Sequence, residues 1–226
     1  MNAPEDAAEG ASPLSIFAAK VLGDILSVLL RLWALTLRLD NKELRAISEM
    51  VARGESLLIV FWHGQFFPLF VAAEGFDATV VVASSWRGMV ISRICRRFGY
   101  RAVLTRGKHN RLPALETAIG TGSKIASLAL DGSSGPQHIV KKGALRIASD
   151  LGFRILPLYV ESRRALVLGW RWDKREIPLP FSSVRLRLGQ PLDVPPGLGS
   201  QKIEAFRTKL KHEMQALESS SRPAAI

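Results

Sequence analysis

The stretch whose reading decides the fold is Leu57–Phe70, LLIVFWHGQFFPLF. Its first six residues, Leu57–Trp62, are apolar without alternation, as in a strand buried on both faces of a parallel sheet. His63-Gly64 interrupts the run. Phe66, Phe67, Leu69 and Phe70 then resume the apolar character in a helix, where they line either the core or an apolar tunnel. A histidine directly after a buried strand stands where ligands meet α/β sheets, at a strand's carboxyl end. There it is either a general base near neutral pH or a hydrogen-bonded structural histidine. The glycine after it lets a substrate or a turning backbone come close.

Working outward, the chain alternates strand and helix patterns. Apolar runs at 79–83, 102–104, 125–130 and 155–160 read as strands. Helical patterns occupy 43–51, 89–98, 112–119, 143–151 and 202–217, several closed by glycine. Arg185 and Arg187 alternate with Val184, Leu186 and Leu188, as in an edge strand. This alternation predicts one α/β domain over residues 41–218, with a mostly parallel central sheet flanked by helices. No linker divides it.

Before the domain come MNAPEDAAEGASP, read as a disordered tail over 1–13, and a long helical pattern over 14–40. In that helix Lys20, Asp24, Ser27, Arg31 and Arg38 share one side, and the remaining sides are apolar. A membrane span would put these charges in hydrocarbon, at roughly 2.5–3.5 kcal/mol each. An amphipathic helix in the membrane interface, its narrow basic stripe toward anionic lipid, avoids that cost. The other reading packs the helix on the domain with the stripe in water. Residues 219–226 read as a second disordered tail.

The 226 residues carry a net charge of +11 and are 47% hydrophobic. Such a balance favours anionic partners: nucleic acid, an anionic membrane or a phosphorylated substrate. Arg87 to Arg111 holds eight basic residues and no acidic one, which points to an anion. Cys95 is the sole cysteine and reads as a buried small hydrophobe; no metal-ligand spacing occurs, so no metal is expected. A second strand end reads Asp131-Gly132-Ser133-Ser134-Gly135-Pro136. Its backbone N–H groups and hydroxyls suit a phosphate, and its composition equally suits a plain turn. The P-loop, GxGxxG and GxSxG patterns are absent.

Taken in order, these pieces resemble the lysophospholipid acyltransferase superfamily, and most closely a bacterial branch long catalogued as a domain of unknown function. The matching residues are Phe61-Trp62-His63-Gly64, Asp131 to Pro136 and Ile155-Leu156-Pro157-Leu158. Trp170 with Asp173, Ile177-Pro178 with Pro180-Phe181, and Gly189-Gln190-Pro191-Leu192 follow. The likeness covers about Asn41 to Leu192. It implies acyl transfer from an acyl-coenzyme A or acyl carrier protein thioester to a hydroxyl of a lysophospholipid-like or lipid A precursor-like acceptor. His63 would be the general base. Arg106, Gly132, Ser133, Ser134 and Gly135 would bind the acceptor's head group, and Pro157 would pack the acyl chain. Gly64 would border the substrate, and N–H groups near His63 and Gly64 would stabilise the oxyanion. No bound cofactor is implied. The partners would be membrane lipid and the thioester donor, with no specific nucleic acid, at the cytoplasmic face of the inner membrane.

The chain departs from the superfamily in two places. The superfamily carries an acid five residues after the histidine, where Pro68 stands; either Asp131 takes over, or the histidine works unassisted, or it is not a base here. Ser133-Ser134 replaces a Pro-Arg pair, and the basic run from Arg87 would compensate. The alternatives are a non-catalytic lipid-binding relative and a basic nucleic-acid-binding protein; against the latter, aromatic residues are not interleaved with the basic run.

Overall fold

The five residues Leu57–Phe61 form β2, and every one is buried. A computed structural model of the protein describes residues 12–105, 113, 115–117 and 122–221. The other strands of the main sheet are β1 (Arg38–Asp40), β3 (Thr79–Ala83), β4 (Arg101–Thr105), β5 (Ile125–Ala129), β6 (Arg154–Ser162) and β9 (Ser183–Leu188). A separate hairpin pairs β7 (Ala165–Val167) with β8 (Glu176–Pro178). The main sheet has seven strands in the order β1-β9-β6-β2-β5-β3-β4. Its pairs are parallel except β6 with β9.

Alternation along β2 divides the interior in two. Leu57, Ile59 and Phe61 meet a layer of α1 (Pro13–Ala34), α2 (Glu43–Ala52), α3 (Phe66–Ala72) and α4 (Trp86–Arg97). Leu58, Val60 and Trp62 meet α5 (Lys142–Leu151) and α6 (Ser200–Ser221) on the opposite face. Both faces of a parallel sheet are thereby covered, which is why β2 shows no polar alternation. The predicted mixed α/β domain is what forms.

Several expectations change. β9 is not an edge: β1 pairs along Ser183–Arg185, and β1 and β4 are the outer strands. The alternation was read correctly, with Val184 and Leu186 buried. The N-terminal helix stops at Ala34 rather than residue 40, and Arg38 belongs to β1. The C-terminal helix continues to Ser221, past the expected end of the domain. Residues 1–11 and 222–226, the bulk of both expected tails, lie outside the described residues, as does most of the predicted helix 112–119.

The largest change concerns α1. It starts at an N-cap, Ser12, whose hydroxyl accepts from the Ser15 N–H, with Pro13 in the first turn. Much of its polar stripe is engaged by α4 and by Glu74 after α3, while Lys20 stays exposed. The Asp24 carboxylate accepts from Arg93 Nε and a terminal nitrogen, each at 2.8 Å, and from Arg97 Nε at 2.6 Å. These two guanidinium groups hold the carboxyl well below its usual range. Arg31 reaches Glu74 at 2.8 Å and the Arg97 carbonyl at 2.5 Å, and lies over the Phe98 ring. Ser27 is buried and donates to the Gly23 carbonyl. The opposite face, with Leu14, Phe17, Val21, Ile25, Val28 and Leu32, is exposed. Part of the basic run is thus neutralised by acids from elsewhere: Asp24 for Arg93 and Arg97, and Asp77 for Arg101.

The two helices lie close together at Gly23, where an added Cβ would come within 2.6 Å of Arg93 Cβ. Gly23→Leu wedges them apart, and overpacking of this kind costs about 1–3 kcal/mol. The expected result is a lower urea midpoint with an unchanged slope; a midpoint equal to wild type means the helices do not pack as described.

Candidate active site

The strand ends are fastened to each other before any catalytic group is placed. At the end of β5, Asp131 is fully buried. One carboxylate oxygen accepts the backbone N–H of His63 at 2.8 Å, and the other accepts that of His138 at 3.4 Å. Burial pushes the Asp131 carboxyl above its usual value, and these N–H donors oppose it. Asp131 therefore ties the end of β2 to the loop after β5. That is a positioning role, and the imidazole's acid partner, expected here, lies elsewhere.

His63–Gln65 form a single 3₁₀ turn between β2 and α3. The Gln65 amide is buried and bonds both the carbonyl and the N–H of Val160 on β6. The turn is held from two strands at once, so the His63 Cα has little freedom. The β7–β8 hairpin then folds over it. Its connection, residues 168–175, carries Trp172 to 5.1 Å from the His63 ring and Asp173 to the ring nitrogen. His63 Nδ1 lies 2.9 Å from Asp173 Oδ2.

Asp173 is 0% exposed, so it needs partners to remain ionised. Arg171 Nε donates to one oxygen at 2.9 Å, and an Arg175 terminal nitrogen to the other at 3.0 Å. Burial alone would raise this carboxyl; the bonds from Arg171, His63 and Arg175 outweigh it and hold it down to about 2. Arg175 also lies 4.3 Å over the Phe66 ring, which anchors the guanidinium from below. For His63, burial pushes the imidazole below its ordinary value, against the raising effect of Asp173. Near neutral pH the ring is neutral. With Nδ1–H given to Asp173, the free lone pair is on Nε2.

Gly64 has a clear reason. A Cβ there would collide with the Asp173 carbonyl oxygen. Of the two readings for this glycine, the close backbone approach is the one the Asp173 carbonyl requires. Gly135 does the same for Trp172, whose ring occupies the space of a Cβ.

A cavity of about 270 Å³ opens beside His63 on the α1–α4 side of the sheet. Its polar end lies at the carboxyl ends of the strands, with His63, Ser85, Arg87, Gly132 and Ser133. Its body passes Phe66, Leu69 and Phe70 and reaches Ala78 and Tyr100 at the opposite ends of the strands. Three of the four residues expected to line core or tunnel therefore line the cavity; Phe67 instead packs on Trp33. Cys95 also lines it, buried, its thiol pushed up to about 12 by desolvation. Pro157, expected beside the acyl chain, is on the other side of the sheet. It faces Gly189 and the α6 layer, while its neighbour Leu158 lines the cavity. Ser134 is exposed and does not line the cavity. Arg106 falls outside the described residues. Among those residues no cluster of three or more His, Cys, Asp or Glu side chains could hold a metal ion.

The opposing influences on His63 give a direct test. Asp173→Asn removes the raising interaction and leaves burial, so the His63 pKa falls further below its ordinary value. NMR titration of the His63 Cε1–H reads this shift; an unchanged or higher pKa would show that the two side chains do not interact.

No family model matches the chain. The chain is similar to an uncharacterized protein of Rickettsia prowazekii (strain Madrid E), 25% identical over 156 residues that make up 68% of this chain and 69% of that protein.

Proposed function

We propose that the protein is a membrane-associated O-acyltransferase that moves a fatty acyl group from an acyl thioester to a hydroxyl of a lysophospholipid-like or lipid A precursor-like acceptor. The observation that carries this reading is the His63–Asp173 pair at the polar end of a mostly apolar cavity. A general base beside a hydrocarbon-lined slot is what acyl transfer to an amphiphile requires. The acid missing five residues after His63, which favoured a non-catalytic relative, has a counterpart in Asp173.

In this mechanism His63 Nε2 takes the proton of the acceptor hydroxyl as its oxygen attacks the thioester carbonyl. Asp173 holds the ring by Nδ1–H and stabilises the imidazolium that forms. The tetrahedral intermediate expels the thiolate, which takes the proton back from Nε2 and leaves as thiol. The His63 N–H is already given to Asp131 and the Gln65 N–H to the Trp62 carbonyl. The candidate oxyanion donor of this turn is therefore the Gly64 N–H. Arg87 and Ser133 at the cavity entrance suit the acceptor's anionic head group.

Membrane association rests on α1. It is long and apolar enough to meet or cross a membrane, with a mean hydropathy of 1.8 over its best window. Because Asp24 is engaged by α4 and Arg31 by Glu74, its outward face is mainly apolar, with Lys20 left exposed. Burial of that face in one leaflet, with the domain on the cytoplasmic side, leaves these ion pairs intact, whereas a span would separate α1 from α4.

Membranes carrying the protein, given labelled acyl-coenzyme A and acyl carrier protein thioesters with mixed lysolipids, are expected to place label in lipid. His63→Ala is expected to lower the rate by about 10²–10⁴-fold, the usual range for losing a general base. Activity should fall with acid only below the ordinary imidazole range, since protonation removes the base and burial lowers the His63 pKa. Equal label with wild type and His63→Ala rejects the mechanism.

A further inference from the structure

The hairpin that delivers Asp173 has a second feature that the proposed chemistry does not use. Its outer surface is apolar. Leu166 on β7 is about half exposed, and Trp170, three residues before Asp173, is 81% exposed; Val167 is on the other face of the strand, bordering a recess with Trp62 and Glu218. Trp170 makes no part of the clasp on His63, which Arg171, Trp172, Asp173 and Arg175 form. A tryptophan displayed this way on a hairpin tip is costly in water.

These residues are not isolated from α1. β8 runs directly into Leu179, Pro180 and Phe181, and Leu179 and Phe181 are exposed. The Phe181 N–H donates to the Thr36 carbonyl at 2.7 Å, and Trp33 Nε1 donates to the Pro178 carbonyl at 3.1 Å. The hairpin base is thus pinned to the end of α1, beside exposed Leu32 and Leu35. The Leu179 N–H donates to the Arg164 carbonyl, linking the base to β7. One apolar line therefore extends from α1 through Phe181 and Leu179 to Leu166 and Trp170.

The exposed charges around that line are cations, while the acid on the hairpin strands, Glu176 opposite Val167, is only partly exposed. Arg163, Arg164 and Lys174 on the hairpin and Arg38 beside its base are exposed. Apolar side chains with a tryptophan, bordered by exposed cations, match the boundary of an anionic bilayer, where indole sits at head-group level and arginine meets phosphate. A protein partner would more often call for both signs of charge around the apolar centre.

We infer that the β7–β8 hairpin is a second bilayer contact, distinct from α1, which seats Trp170 at the interface of an anionic membrane. This rests on the membrane reading of α1. The contact places the turn carrying the acid partner of His63 at the lipid surface, so the cavity entrance is held where an amphiphile's hydroxyl emerges.

The test uses the full chain with an environment-sensitive fluorophore on Trp170→Cys and, separately, on Val28→Cys. The buried Cys95 thiol, its pKa pushed up to about 12, does not take the label. Vesicles of phosphatidylcholine and phosphatidylglycerol with brominated acyl chains are added. The expected result is a blue shift and quenching at both sites, with the hairpin signal weaker on phosphatidylcholine alone. Quenching at position 28 but not at 170 overturns the hairpin contact and leaves α1 as the anchor. No quenching at either site overturns the membrane reading itself. Equal hairpin quenching on both vesicle types removes the role given to the cations. A label on Leu166→Cys, on the same hairpin, repeats the measurement if Trp170→Cys fails to fold.

Discussion

A carboxylate with no exposure to water must be paired or it will not stay charged, and Asp173 organises one end of the molecule around that requirement. Its oxygens are taken by Arg171, Arg175 and His63. Arg175 is steadied by the Phe66 ring, Trp172 fills the space left by Gly135, and the Asp173 carbonyl fills the space left by Gly64. Losing the carboxylate would leave two arginines short of an anion and the hairpin without its clasp. The chemistry of the site is therefore inseparable from the folding of residues 168–175.

This explains which parts were legible in the sequence. β2, β3, β5, β6 and α5 carry continuous or periodic apolar patterns, and each lies within a few residues of where the pattern puts it. β1 and β7 are three residues long, too short for periodicity to register. β1 was absorbed into the preceding helix because the apolar pattern runs on through Leu37 and Leu39. His63 and Asp131 were found because both stand at ends of buried strands. Asp173 lies 110 residues from His63, in a loop with no pattern of its own. Its one trace was membership, with Trp170, in the resemblance set. Its place at the end of a second buried strand favoured Asp131, and burial with backbone donors gave that carboxylate a different task.

The helix α1 shows a related limit of periodicity. The wheel finds a polar stripe but not its partner. Convention turns such a stripe toward water or lipid head groups. Here Arg93 and Arg97 on α4 supply the opposite charge for Asp24, and Glu74 supplies it for Arg31, so that part of the stripe turns inward. The deciding residues lie on other elements, and no window on the helix contains them.

The two sides of the sheet are built to different standards. On the α5–α6 side Leu58, Leu145, Ile155, Leu210 and Met214 are fully enclosed. The α1–α4 side keeps a hollow of about 270 Å³. Apolar walls left without neighbours forgo contact free energy that a filled interior would have. A hydrocarbon chain entering the hollow would return part of that free energy as added stability. Occupancy and melting temperature are therefore coupled: the empty protein is the thermally weaker form, and any guest that fits the slot would reveal itself by raising the temperature of unfolding.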